Sequence, residues 1–115
     1  VIFSSCGKKR KTVIDNGPVR IETNESIFKY TFKARFPKER TVSIKNLLST
    51  KLDQPEILEN RSVNNSVRLL NQTSFTLKLR PGALEISIRK NNRTEQEIED
   101  IQNLGKSIQR ILLNP

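Results

Sequence analysis

Apolar and polar positions alternate most regularly between Ile27 and Phe36, where Phe28, Tyr30, Phe32, Ala34 and Phe36 interleave with Lys29, Thr31, Lys33 and Arg35. A period of two belongs to a strand with one buried face. Four of the chain's six aromatic residues fall on that face, so this segment is expected to be the central strand. Pro37, which has no amide proton to give a ladder, ends it. Upstream, Val19, Ile21 and Thr23 alternate with Arg20 and Glu22 and predict a strand over 19–23, turned into the central strand by Thr23-Asn24-Glu25-Ser26.

Beyond Thr41 the spacing lengthens. Ile44, Leu47, Leu48 and Leu52 lie three and four apart and predict a helix over 41–53, stopped by Pro55. Residues 54–65 read as a long polar loop with a brief extended piece at Glu56–Glu59. Val67 and Leu69 predict a short strand broken at Asn71-Gln72. Phe75, Leu77 and Leu79, then Leu84, Ile86 and Ile88, give two period-two runs around Arg80-Pro81-Gly82-Ala83. That is a hairpin, with Pro presetting φ and Gly supplying a positive φ.

Thr94-Glu95-Gln96-Glu97 is a capping box and opens a helix whose stripe is Ile98, Ile101, Leu104, Ile108, Ile111 and Leu112. Acids stand in its first turns and Lys106 and Arg110 late, as the helix dipole favours. Gly105 falls on the same stripe, where it costs about 1 kcal/mol relative to Ala. Close approach of the helix to the sheet would explain it, with a helix break as the alternative.

The order of elements defines an α+β fold with two layers: an antiparallel or mixed sheet of about five strands with two helices packed on one face. Residues 19–115 make the single domain. Residues 1–18, punctuated by Gly7, Asn16, Gly17 and Pro18, read as a leader and basic tether with a short strand at Thr12–Ile14. The sequence has no internal repeat, no heptad array and no complete transmembrane span.

A length of 115 residues allows one core. Twenty-one Lys and Arg against twelve Asp and Glu leave a formal charge of +9, which favours an anionic partner. The absence of His removes Ser-His and Cys-His nucleophile pairs and imidazole metal ligands, and a single Cys removes intramolecular disulfides and thiolate zinc clusters. Asp15, Glu22, Glu39, Asp53, Glu56, Glu59 and Glu85 follow no motif spacing, and the glycines stand singly rather than in a phosphate loop. The expectation is therefore a protein that is not an enzyme, with no metal, no cofactor and no small-molecule substrate.

The opening Val1-Ile2-Phe3-Ser4-Ser5-Cys6 places apolar residues, then two small ones, before the only Cys, and Gly7 and the basic run Lys8, Lys9, Arg10 and Lys11 follow. This resembles the end of a bacterial lipoprotein signal peptide, in which the cysteine is diacylated and becomes the mature N-terminus. Phe3 stands where the common lipobox has Leu; lipoboxes of some phyla, Bacteroidota among them, are looser. The resemblance covers about seven residues and implies lipidation at Cys6, with the basic run adding attraction to anionic lipid. Taken alone, Lys8–Lys11 also fits a nuclear or nucleic-acid-binding arm.

On the strands, Lys29, Lys33, Arg35, Lys78, Arg80 and Arg89 share the parity opposite the core, with Thr31, Thr76, Glu85 and Ser87 among them. They form an expected cationic face for an anionic partner, although the exposed side of any antiparallel sheet is rich in such residues. The aromatics sit on the other parity, which lowers the case for nucleic acid. Asn-X-Ser/Thr sequons at Asn24, Asn60, Asn64, Asn71 and Asn92 mark expected turns and loops.

Together these features lead to the expectation of a small non-enzymatic envelope lipoprotein, bound to the membrane by its lipid, facing the periplasm or surface, and serving as an accessory or structural binding subunit with a protein partner. The alternative is a cytoplasmic or nuclear polyanion-binding module that uses Lys8–Lys11 with the sheet face.

Overall fold

The computed structural model describes residues 10–114. Its elements are β1 (Arg10–Asn16), β2 (Val19–Glu25), β3 (Lys29–Arg35), α1 (Thr41–Lys51), β4 (Val63–Arg68), β5 (Ser74–Arg80), β6 (Ala83–Arg89) and α2 (Glu95–Leu113). The strands form one antiparallel sheet in the order β1-β2-β3-β6-β5-β4. The α+β class expected from the pattern is the observed one, with six strands rather than about five.

The added strand is β1, which contains the short piece expected at Thr12–Ile14 and extends it at both ends. The stretch read as a tether pairs with β2 along its whole length, from Arg10 opposite Glu25 to Asn16 opposite Val19. Only Ile14 in it is half-buried, because an edge strand beyond the helical layer has little apolar surface to cover, and so it carries little alternation for a period to reveal.

One side of the sheet is the core. Ile21, Tyr30, Phe32, Ala34, Leu84, Ile86, Ile88, Leu77 and Leu79 meet Ile44 and Leu48 of α1 and Ile101, Leu104, Ile108 and Leu112 of α2. The alternation of β3, β5 and β6 is thus the consequence of helices covering one face only. Phe28 is a correction to the central-strand reading: β3 begins at Lys29, and Phe28 stands in the β2–β3 turn, 70% exposed. The turn is closed by the Ser26 amide donating to the Lys29 carbonyl, while the Ser26 hydroxyl accepts from the Phe28 and Lys29 amides. The turn these bonds close leaves the Ile27 and Phe28 side chains off the covered face, although the Phe28 carbonyl still accepts from the Lys90 amide.

Three smaller corrections follow the same logic. The extended piece expected at Glu56–Glu59 is a 3₁₀ helix over Pro55–Glu59 that buries Leu58, and Pro55 in its first turn suits a helical start. β4 begins earlier than expected, at Val63, and Leu69 leaves it to form an isolated bridge with Leu52. Two of the sequon asparagines, Asn24 and Asn64, lie in strands rather than turns.

The two halves of the chain repeat one plan, three antiparallel strands and then a helix, around the central β3–β6 pair. Placing Phe32 on its cross-strand partner Ile86 also places Thr23 on Leu77, their partners one strand outward, and Thr41 on Glu95, the first residues of α1 and α2. The side chains do not record the relation, since Thr23 stands where the second half has Leu.

The capping box of α2 is formed as expected: the Glu97 amide donates to the Thr94 hydroxyl at 3.1 Å and the Thr94 amide to the Glu97 carboxylate at 2.9 Å. At the far end of α2, Arg40 donates to the Ile111 carbonyl, one of the last carbonyls without a partner inside the helix. Gly105 lies against Tyr30 and Phe32, so close approach is its reason and the helix runs through it unbroken.

Candidate functional site

The register of the ladders sorts the open face of the sheet into rows. One row crosses all six strands as Lys11, Asn24, Thr31, Ser87, Thr76 and Ser66, a band of hydroxyl and amide groups with a single charge at its edge. The next runs Val13, Glu22, Lys33, Glu85, Lys78 and Asn64. Here the sign alternates from strand to strand, so opposite charges face each other and the row neutralises itself. A third row is Asp15, Arg20, Arg35, Ala83 and Arg80, at the end of the sheet where the β5–β6 turn lies. At the other end, Lys29 stands opposite Arg89.

The face expected to be cationic is therefore basic at its two ends and balanced between them. Lys33, Arg35, Lys78 and Arg80 are brought together. With Ser62, Asn64, Ala83 and Glu85 they line a shallow groove of about 390 Å³, and a depression of about 250 Å³ adjoins it over Arg20, Glu22 and Arg35. Ala83 makes the dent, since a one-carbon side chain stands between Arg35 and Arg80 in that row. Lys29 and Arg89 lie beyond the hydroxyl band and do not belong to this groove.

Lys29, Lys33, Arg35, Lys78, Arg80 and Arg89 are all exposed, and among the described residues none of the six comes within ion-pair distance of a carboxylate. The acids near them are engaged elsewhere or shared. Asp15 holds Arg20 at 3.2 Å, and Glu22 holds Lys11 at 3.7 Å. The Asn24 amide, donating to Glu22 at 3.0 Å, and then the charges of Lys11, Lys33 and Arg20, lower the Glu22 carboxyl below the ordinary carboxylate range. Glu22 is thus a fixed anion at neutral pH. Arg20 directly opposite Arg35, like Lys29 opposite Arg89, is a like-charge cross-strand pair of the kind that costs a sheet stability.

Of the N-terminal basic run, Arg10 begins β1 on the parity of the covered face and Lys11 lies on the open face. Cys6, Lys8 and Lys9, and the lipobox-like opening with them, lie outside the described residues. Arg20 and the gap at Ala83 were missed by reasoning from the sequence; the alternation of β2 shows which face Arg20 takes, but only the register shows that it stands beside Arg35.

Chemically, the groove offers two guanidinium groups and two ammonium groups around a small dent, with a carboxylate in the row between the lysines. Such a set holds an anionic group by charge and forked hydrogen bonds. No aromatic side chain lies on the open-face parity of the described strands, so the face has no platform for stacking bases. Among the described residues no cluster of three or more His, Cys, Asp or Glu is placed to hold a metal ion, and no helix is long and apolar enough to cross a membrane. Compared with known proteins, the chain matches no family model, no curated protein and no solved structure.

Proposed function

We propose that this protein is a non-enzymatic envelope lipoprotein, anchored through Cys6, that serves as an accessory binding subunit and contacts an acidic protein partner through the groove of Lys33, Arg35, Lys78 and Arg80. The observation that supports the contact surface is that Lys33, Arg35, Lys78 and Arg80 line one groove, each beyond ion-pair distance of a carboxylate among the described residues, with Glu85 the one acid in that lining. A sheet that keeps Arg20 against Arg35 forgoes a little stability, and an anionic ligand across that row would recover it. The anchor is supported by the order of residues around Cys6 alone.

The mass of the mature N-terminus, taken from the full-length gene expressed in a bacterial host beside a Cys6→Ser variant, tests the reading. A diacylated N-terminal Cys6 that is lost in the variant is the expected result. A chain that runs unprocessed through Val1–Ser5 with a free thiol would remove the anchor and bring forward the polyanion-binding module as the reading to pursue.

A further inference from the structure

We propose that the end of the sheet formed by the β2–β3 turn rests on a phospholipid surface, with Ile27 and Phe28 seated among the head groups. The proposal rests on the lipoprotein reading for its anchor and goes beyond it in assigning the face that meets the bilayer.

Five large apolar side chains are exposed among the described residues: Val13, Ile27, Phe28, Val42 and Leu70. Ile27 and Phe28, 50% and 70% exposed, are neighbours at one tip. Leu70, in the β4–β5 connection, stands at the same end of the sheet. The tip is built to project: besides the Ser26 bonds that close it, the Lys90 amide donates to the Phe28 carbonyl at 2.8 Å and ties it to the end of β6. An apolar pair held outward on a fixed backbone suits insertion at an interface, where an aromatic ring and a branched aliphatic chain can both leave water.

Charge around the tip favours anionic lipid. Lys29 follows Phe28, and Arg89 stands opposite Lys29 across the β3–β6 ladder. Glu25, the nearest acid along the chain, is occupied: its carboxylate accepts from Lys90 at 2.7 Å and from Gln102 at 3.0 Å. The acidic first turn of α2, Glu95 and Glu97, belongs to the helical layer behind the sheet, which confines the contact to the sheet corner.

The point of attachment selects a bilayer over a protein as the occupant. Arg10, at the start of β1, is paired with Glu25 beside the tip, so the chain that carries Cys6, Lys8 and Lys9 joins the domain at this end. Fully extended at about 3.3–3.6 Å per residue, the stretch from Cys6 to Arg10 reaches no further than about 14 Å. A lipid on Cys6 therefore keeps this end of the sheet next to the membrane and makes a weak interfacial contact effectively intramolecular. The row of Arg20, Arg35 and Arg80 lies at the opposite end, as does the end of α2 that Arg40 holds. The arginine row of the groove then lies at the end of the sheet away from the bilayer.

The chain has no Trp and one Cys, which makes the test specific. The full chain carrying Phe28→Trp is coupled through Cys6 to maleimide-headgroup lipid in vesicles of phosphatidylethanolamine and phosphatidylglycerol, with Val42→Trp, exposed at the opposite end, as control. The expected result is a blue shift and loss of most of the emission to brominated acyl chains for the tryptophan at position 28 and for that at position 42 neither. If the tryptophan at 28 stays as open to iodide in water on tethered vesicles as in buffer, the lipid seat is overturned and the tip is a protein-contact surface. Because the tether is chemical, this outcome is independent of whether Cys6 is acylated in the cell, which the mass of the mature chain decides separately.

Discussion

Gly105 of α2 lies directly over Tyr30 of β3, so close that a methyl group on Gly105 would stand 2.8 Å from Tyr30 Oη and 3.0 Å from Phe32 Cδ2. Two effects oppose each other in Gly105→Ala. Helix propensity favours Ala by about 1 kcal/mol, whereas overpacking a close-packed core costs about 1–3 kcal/mol. Phe32 is enclosed and has nowhere to move, so packing wins and the variant is expected to melt at a lower temperature. Since the nearest atom is the Tyr30 hydroxyl, Tyr30→Phe added to Gly105→Ala should recover part of the loss. A rise in melting temperature for Gly105→Ala alone would contradict the close approach.

Tyr30 also makes stability depend on alkaline pH. Burial, and after it the charge of Glu25, push its phenol up from 10 to about 12. The folded state therefore holds the proton more tightly than the unfolded state. The resulting stability is fully present below pH 10 and is lost as pH rises through about 12, amounting to about 3 kcal/mol over the whole window at 1.36 kcal/mol per unit. Denaturant titrations between pH 9 and about 12 should show wild type losing more than Tyr30→Phe, because every other group is common to both. Parallel losses would mean that the phenol is not desolvated.

Thr41, buried at the start of α1, accepts a hydrogen bond from the Gly82 amide at 3.0 Å, and the Gly82 carbonyl accepts from the Phe36 amide at 3.0 Å. These two bonds join the β5–β6 turn to the chain leaving β3. Thr41→Val keeps the shape and leaves the Gly82 amide without its acceptor, at a cost of about 1–3 kcal/mol. Thr41→Ser keeps the acceptor and should lose less. Equilibrium urea unfolding of the two variants separates the hydrogen bond from the packing of the methyl.

Arg35 offers a case where stability and binding move in opposite directions. Arg35→Glu replaces a like-charge pair with Arg20 by an opposite-charge pair, which should leave the fold unchanged or stabilise it by about 0.2–1 kcal/mol. With Arg80→Glu it should also lower the salt needed to elute the protein from a heparin column far more than Lys29→Glu with Arg89→Glu does. Equal shifts from the two double variants would show that only net charge matters and that the groove has no role.

Phe28 and Phe32 share a parity and differ wholly in environment. Phe32→Ala should cost about 3–5 kcal/mol, as for a buried aromatic in a core, while Phe28→Ala should fall within about 0.5 kcal/mol of wild type. Thermal melts of the pair would expose an error in the placement of the β2–β3 turn.

What the sequence determined by itself is what short-range physics can write. The period of two in 75–79 and 84–88 records a sheet covered on one side. Thr94 and Glu97 carry their own capping geometry, and Pro81-Gly82 carries its own turn, with Gly82 at φ 83°. The same parity put Lys33, Arg35, Lys78 and Arg80 on the open face. The tertiary structure decided everything that depends on which strand lies beside which. β1 pairs along its whole length through backbone hydrogen bonds, of which the side chains at an edge mark only the short piece at Thr12–Ile14. Phe28 is exposed because the turn closed by Ser26 carries its side chain off the covered face, although its carbonyl still accepts from the Lys90 amide in the β3–β6 register. The balance of Glu22, Lys33, Glu85 and Lys78, and the gap at Ala83 between Arg35 and Arg80, need the β3–β6 register as well as the two hairpins, because only that register sets Lys33 opposite Glu85 and Arg35 opposite Ala83, residues far apart in sequence.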